Sequence, residues 1–274
     1  MFSSYAVRDG NLITGQQQNS GAAAAQLVLK ALDEDKKRYP TYVLVHGAWA
    51  DESAWGFVRN QMAIHANIEV VNLPAHGADN TYGVGIGLND YVKTVKEVIA
   101  KQNGKVILVG HSMAGMIISQ VASEIPSKIE KLIYVSAYLP ADGQDITGIT
   151  NKFLNNKPIE AFEFNKDYSL LSINKQALPA IVCNDCPQYM KDVLVKYHRA
   201  EPVKALNDKV KLSSAFAAIP KFYISTTQDN AVPYALQQQM IKANGTVKKV
   251  VEMNTSHLPF VVNPAEFVKN ILAF

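Results

Sequence analysis

The run Val106-Ile107-Leu108-Val109-Gly110-His111-Ser112-Met113-Ala114-Gly115-Met116-Ile117-Ile118 constrains this chain more than any other. Its first four residues read as a buried strand, Gly110 ends that strand, and from Met113 the pattern becomes helical. A serine at such a strand-to-helix turn fits the G-x-S-x-G nucleophile elbow. The turn exposes the Ser112 hydroxyl above the sheet and aims the first amides of the following helix at the reacting atom. Flanking positions must be small, because backbones pass close to one another there. Ala114 stands where the motif has its second glycine, and Gly115 follows it. The alternative is an ordinary strand-turn-helix with a surface serine, so the partners of Ser112 decide.

A hydroxyl needs a base to take its proton, and the base needs a carboxylate to fix its tautomer. Asp229 lies just beyond the strand expected over Lys221-Phe222-Tyr223-Ile224-Ser225. His257 lies just beyond the strand expected over Val247 to Glu252. The chain order Ser112, Asp229, His257, with each residue at a strand end, is one of the known triad orders. Asp185 and Asp208 compete as the acid but sit in an irregular stretch. His46, His111, His65, His76 and His198 are less well placed as the base. For the oxyanion, one amide donor is expected from Met113 and the other from Ala48, in the exit loop His46-Gly47-Ala48-Trp49. Trp49 and Trp55 line an acyl pocket or, equally, pack a helix on the sheet.

Alternation from Thr41 onward predicts a mainly parallel α/β sheet with helices on both faces. Expected helices cover Glu52 to Ile64, Asn89 to Lys101, Met113 to Glu124, Pro233 to Ala243 and Pro264 to Leu272. Expected strands cover Tyr42–Val45, Ile68–Leu73 and Ile129–Ser136. Alternation breaks from about 139 to 212, where prolines stand at 140, 158, 179, 187 and 202; this reads as a cap insertion. Leu139, Pro140, Phe153, Leu154, Phe162, Phe164 and Tyr168 suggest an apolar cap, and Leu139, Leu258 and Trp49 are the expected substrate-binding residues.

Residues 1–38 read as an appendage to a domain over 39–274. Tyr5 to Thr14 predicts a hairpin with an Asp-Gly turn, and Ser20 is the expected cap of a helix from Gly21 to Leu32. Asp33-Glu34-Asp35-Lys36-Lys37-Arg38 is either a charged linker or a solvated helix end. Beyond the Gln16-Gln17-Gln18 and alanine runs there is no low-complexity segment.

A net charge of +3 argues against a nucleic-acid or acidic-membrane partner. No apolar run is long enough to span a bilayer and the first residues lack a signal-peptide pattern, so a cytoplasmic protein is expected. Cys183 and Cys186 are half of a zinc site at most; structural thiols come first, a local disulfide second and a metal last. No metal or organic cofactor is expected.

From Tyr42 onward the chain resembles the α/β-hydrolase superfamily. It is most similar to the branch holding bacterial carboxylesterases, plant methyl-ester esterases and hydroxynitrile lyases. The likeness rests on Val43-Leu44-Val45-His46-Gly47-Ala48-Trp49, Leu108 to Gly115, Tyr134-Val135-Ser136-Ala137-Tyr138-Leu139-Pro140, Thr227-Gln228-Asp229 and Ser256-His257. It implies a serine ester hydrolase acting on a small to medium apolar or aryl ester. The resemblance also implies how the lyases differ: a threonine follows the oxyanion-loop histidine, and a lysine follows the catalytic histidine. Here those positions are Gly47 and Leu258. A lyase is the second reading and a non-catalytic binding member the third. Separately, Val7 to Gly15 and Ala22 to Leu32 resemble the C-terminal strand and last helix of Pfp-type intracellular-protease/amidotransferase-like proteins, without their catalytic cysteine region. A homodimer, with residues 1–38 in its contacts, is left open.

Overall fold

The computed structural model describes residues 4–10, 12–16 and 20–274, with the side chains of all of these except 33 and 35–38. The chain forms two compact units, Met1–Pro40 and Thr41–Phe274.

In the first unit, β1 (Ala6–Asp9) pairs antiparallel with β2 (Leu12–Gly15), with Asp9 opposite Leu12. Gly10 opens the turn in the left-handed region, which glycine enters without a Cβ clash. Asn11 and the glutamines at 17 and 18 lie outside the described residues. The helix α1 spans Gly21–Arg38, so it runs through the charged segment rather than stopping at Leu32. Straight-chain charged residues favour a helix, and Pro40 then forces Tyr39 into an extended conformation. Ser20 does not cap this helix with its side chain. Its hydroxyl instead accepts the Tyr5 N–H at 3.2 Å.

The second unit is built on a six-stranded sheet, all of whose pairings are parallel. Its first half comprises β3 (Thr41–Val45), α2 (Gly56–Met62), β4 (Asn67–Val71), α3 (Leu88–Ala100), β5 (Val106–His111), α4 (Ala114–Glu124) and β6 (Ile129–Val135). The single helix expected over Glu52 to Ile64 is divided: a 3-10 turn at Glu52–Trp55 precedes α2. The Asp51 carboxylate accepts the Ser53 N–H at 2.8 Å and tightens that first turn.

The insertion follows as α5 (Ile146–Phe153), β7 (Phe162–Phe164), β8 (Leu170–Ile173), α6 (Leu178–Val182), α7 (Gln188–Tyr197), β9 (Glu201–Pro202) and α8 (Val203–Asn207). Its strands form a separate antiparallel sheet in the order β7-β8-β9. The chain then passes through α9 (Ser214–Ala218), β10 (Lys221–Thr226), α10 (Tyr234–Asn244), β11 (Val247–Met253), α11 (Pro259–Val262) and α12 (Pro264–Leu272).

The main sheet runs β11-β10-β6-β5-β3-β4. From β3 the chain steps outward to β4, then returns to β5 and proceeds the other way. The carboxyl ends of β3 and β5 therefore lie at the point where winding reverses, which is where such sheets open a ligand crevice. β5 is buried along its whole length, as its apolar run requires. One apolar cluster gathers α3, α4 and α10 with the cap residues Phe153 and Phe162. A second gathers α2, α11 and α12. Trp55 belongs to the second, with its ring centroid 4.6 Å from Phe260 and 6.2 Å from Phe267. Its observed contacts are those of packing between the helices and the sheet.

Candidate active site

β5 delivers Ser112 into a turn with φ of 55°, the left-handed backbone that an elbow demands. The turn is tied by its backbone. Ser112 N–H donates to Val135 O, and Ser112 O accepts the Gly115 and Tyr138 amides, each at 3.1 Å. A Cβ on Gly110 would lie 2.8 Å from the Ala114 carbonyl oxygen, so that glycine is required. The close approach on the far side of the elbow falls at Gly115, where a Cβ would sit 1.9 Å from Tyr138 O. This explains why alanine is tolerated at 114 while glycine follows it.

The loop after β10 brings Asp229 to the loop after β11, which carries His257. His257 Nδ1 lies 2.8 Å from Asp229 Oδ2. Both Asp229 oxygens face donors. Oδ1 accepts the Ala231 and Val232 amides at 2.8 and 2.9 Å. Oδ2 accepts the Thr226 hydroxyl at 2.9 Å and Gln237 Nε2 at 3.1 Å. An all-donor shell suits a carboxylate, which accepts only, so Nδ1–H donates to it, and in the neutral ring the lone pair is then on Nε2. The two loops are zipped side by side: Gln228 N–H donates to Thr255 O, and Gln228 Nε2 and Thr227 Oγ1 both donate to Asn254 Oδ1. His257 O in turn accepts His111 Nε2–H at 2.9 Å, which fixes the histidine loop to the residue before Ser112.

Gln237 is a site residue that the sequence reading did not single out. It is fully buried on α10. Its Oε1 accepts the Thr226 N–H at 3.1 Å while its Nε2 reaches Asp229. A buried amide eight residues after an acid at a strand end is the only sequence trace of it.

At the exit of β3, the backbone of Gly47 passes so close to the elbow that a Cβ there would lie 2.7 Å from Ser112 Cβ. Ala48 follows directly, and Met113, the other expected oxyanion donor, opens α4. Trp49 adopts a φ of 58°. Its indole N–H donates to Leu171 O at 2.9 Å, and its ring lies 6.0 Å from Phe162. Trp49 therefore stands between the loop after β3 and the strands β7 and β8. Leu139 and Leu258 are both buried, Leu139 in the cluster of α3 and α4 and Leu258 in that of α11 and α12. Phe153 and Phe162 pack inward, but Phe164 is 47 % and Tyr168 70 % exposed, so these two do not line a shielded cap interior.

Four of the other histidines, His46, His76, His111 and His198, have structural partners, and His65 is exposed. His46 Nε2 accepts the Leu73 N–H at 3.1 Å. Burial, reinforced by neighbouring His76, lowers its pKa to about 4, so it is neutral. His111 is held neutral by complete burial and by nearby His257. His198 Nε2 accepts the Ile173 N–H at 3.2 Å. Asp208, a rival acid, accepts the Leu88 N–H at the start of α3 at 3.0 Å.

Glu201 of β9 is fully buried and ties the cap to this loop. Its carboxylate accepts the Trp49 N–H at 3.2 Å, His76 Nε2 at 2.9 Å and the Tyr91 hydroxyl at 2.8 Å. His76 Nδ1 donates to Pro74 O at 2.9 Å, so both ring nitrogens donate. Burial works against charge on both partners, but each outweighs it for the other: His76 is raised from 6.5 and Glu201 lowered from 4.5. The histidine contribution is whole below its unfolded value and is lost as pH rises through its raised folded value. The glutamate contribution is whole above its unfolded value and is lost as pH falls through its lowered one. The stability difference between the wild type and Glu201→Gln is therefore expected to be greatest between pH 4.5 and 6.5. It should be on the order of 3 kcal/mol there and narrow toward alkaline pH. Urea titrations across pH measure it, and a difference that widens toward alkaline pH contradicts the pairing.

Among the described residues, Cys183, Asp185 and Cys186 bring potential metal-ligand atoms within 4.8 Å of one another. The two sulfurs are joined as a disulfide, so the group offers one carboxylate and does not suit a metal ion.

With this geometry in place, comparisons with known proteins point one way. The Arabidopsis thaliana protein named "Putative methylesterase 11, chloroplastic" is 27 % identical over 248 residues, covering 84 % of this chain and 63 % of that protein. The chain thus spans less than two thirds of that relative. Methylesterase 1 of the same plant is 24 % identical over 253 residues, covering 85 % of this chain and 94 % of its own. Among solved structures, polyneuridine aldehyde esterase superposes with a TM-score of 0.76 at 21 % identity, covering 86 % of this chain and 98 % of that one. A pyrethroid hydrolase from Sphingobium faniae JZ-2 gives 0.73 at 21 % identity, covering 86 % and 97 %. The model of the alpha/beta hydrolase family matches residues 42–270, and the chain belongs to that family.

Proposed function

We propose that this protein is a serine carboxylic-ester hydrolase whose nucleophile is Ser112, whose base is His257 and whose orienting acid is Asp229. The observation that carries the reading is the 2.8 Å bond from His257 Nδ1 to an Asp229 carboxylate already saturated with donors, on a loop bonded to the elbow. His257 Nε2 takes the Ser112 proton as Oγ attacks the ester carbonyl. The amides of Ala48 and Met113 hold the negative oxygen that develops. The alcohol leaves with the proton from His257, and water then cleaves the acyl-enzyme by the same path in reverse. No metal or cofactor enters these steps.

The substrate is a small to medium apolar or aryl ester. Esterase relatives and the apolar surroundings of Leu139 and Leu258 support that class. Position 47 speaks against the lyase chemistry. A Cβ there meets Ser112 at 2.7 Å, so the threonine that the lyase pattern asks for has no room, and the position of its lysine is held by buried Leu258. Among the described residues no helix is long and apolar enough to cross a membrane.

The test is a panel of p-nitrophenyl esters of increasing acyl length run beside mandelonitrile. Release of p-nitrophenol from the shorter esters without cyanide release from mandelonitrile is the expected result. Cyanide release without ester turnover overturns the reading.

A further inference from the structure

Both loops that carry the base and its acid are gripped from outside by one corner of the cap. Residues 183–186 form that corner, between α6 and α7. The Asp185 carboxylate accepts the Ser256 N–H at 2.8 Å, one residue before His257. The Ser256 hydroxyl points at Cys183 Sγ, 3.7 Å away. Asn184 Nδ2 donates to Gln228 O at 3.3 Å, and Ala180 O accepts Asn230 Nδ2 at 2.9 Å, so the residues on either side of Asp229 are held as well.

The corner is itself closed. A disulfide joins Cys183 to Cys186 across a Cα separation of 5.2 Å, Cys186 N–H donates to Cys183 O at 3.2 Å, and Lys191 Nζ donates to Asn184 O at 2.9 Å. Both cysteines are buried in the apolar cluster that contains Met253, Leu258 and Phe260, on either side of the histidine loop. Asp185, by contrast, is exposed apart from its contact with Ser256. It owes its place to the closed loop around it.

We propose that Asp185 is a positioning residue for the base His257, acting through the Ser256 amide, and that the Cys183–Cys186 disulfide holds Asp185 in that place. The inference rests on the reading of His257 as the base. An imidazole that must meet both a serine hydroxyl and a leaving alcohol loses rate steeply with small displacements. The Ser256 N–H is a buried donor, and without its acceptor the peptide next to His257 turns to find another. Reduction opens the corner: a dithiol passes two electrons and two protons to the sulfurs, giving two thiols, and itself leaves as a cyclic disulfide. Nothing covalent then fixes Asp185 against the histidine loop.

The experiment compares full-length wild type, Asp185→Ala, Asp185→Asn and dithiothreitol-reduced wild type, with thiols titrated to establish the redox state. Two readouts are taken: kcat and KM on p-nitrophenyl acetate, and the downfield proton resonance of the His257–Asp229 hydrogen bond. Asp185→Ala is expected to lower kcat about ten- to a hundredfold with little change in KM, and to broaden the resonance. Asp185→Asn keeps an oxygen that accepts the Ser256 N–H, and should restore both kcat and the sharp line. Reduction should move kcat and the line toward the alanine variant, and reoxidation should return them. Wild-type kcat and line shape in Asp185→Ala overturn the positioning role. An asparagine variant as impaired as alanine also overturns it, because charge rather than the held amide would then matter. Wild-type behaviour after full reduction overturns the role of the disulfide. If Asp185→Ala does not fold, Asp185→Ser, whose hydroxyl is too short to reach the Ser256 amide, takes its place under the same expectations. The resonance needs no substrate, so an absence of ester turnover refutes the hydrolase reading while leaving the positioning result readable.

Discussion

Ser112→Ala is expected to lower kcat for ester cleavage by about 10⁴ to 10⁶ while leaving the protein folded. The change removes one oxygen. The elbow is tied by the Ser112 backbone, through its N–H to Val135 and its carbonyl to the Gly115 and Tyr138 amides, and none of these bonds uses the hydroxyl. Alanine carries the same Cβ as serine, so the contact with the Gly47 backbone is unchanged as well. On the proposed mechanism what disappears is the nucleophile, and the residual rate is what bound water and the amides of Ala48 and Met113 supply. Single-turnover assays beside a melting curve measure both halves. A rate within tenfold of wild type, in protein of unchanged stability, removes Ser112 from the chemistry.

Asp229→Asn is expected to lower kcat by about 10⁴, in line with loss of the orienting acid in other triads. The surroundings of this carboxylate make asparagine a poor substitute. Every neighbour of Asp229 donates: the Ala231 and Val232 amides on one oxygen, and Thr226, Gln237 and His257 on the other. An asparagine must turn its own NH₂ toward one of these groups. Facing His257, it favours the tautomer with the proton on Nε2, which cannot accept from Ser112. Facing the two amides, it sets donor against donor in a buried loop. In the second orientation kcat falls through loss of the negative charge beside the imidazolium, and stability should fall in both, because in the first the NH₂ meets Gln237 Nε2. Steady-state rates with a urea titration separate the two costs, and a kcat unchanged in Asp229→Asn means that Asp229 does not orient the base.

The parts of this arrangement that were legible in the sequence are local. A strand followed by a tight turn and a helix is written in consecutive residues, so the elbow around Ser112 shows itself. Asp229 and His257 are marked by the strands that precede them. Gly47 is conspicuous because it follows a strand and a histidine. The contacts that hold these residues are not local. Gln237 reaches Asp229 from the middle of a helix, and its burial depends on how α10 packs. Glu201 meets His76 across 125 positions, and no periodicity carries that information. Trp55 presented two roles, and the structure places its ring against Phe260 and Phe267, contacts that no local pattern announces. The charged end of α1 was equally ambiguous, because the same residues suit a solvated helix and a linker. Apolar residues of the cap were read as one lining, yet Phe164 and Tyr168 are exposed while Phe153 and Phe162 pack inward. Phe162 and Phe164 share one face of β7, so what separates them is how far neighbouring segments cover that face, which composition alone does not tell.

The bonds of Glu201 have a consequence for traffic. Swinging the cap aside would strip the Trp49 amide of its acceptor, uncouple a buried charge pair and free the indole from Leu171. The cap is thereby a fixed frame. On the proposed ester hydrolysis, turnover in a series of longer acyl chains should therefore end at a sharp length limit. A hinged door would widen for each guest and give a gradual decline.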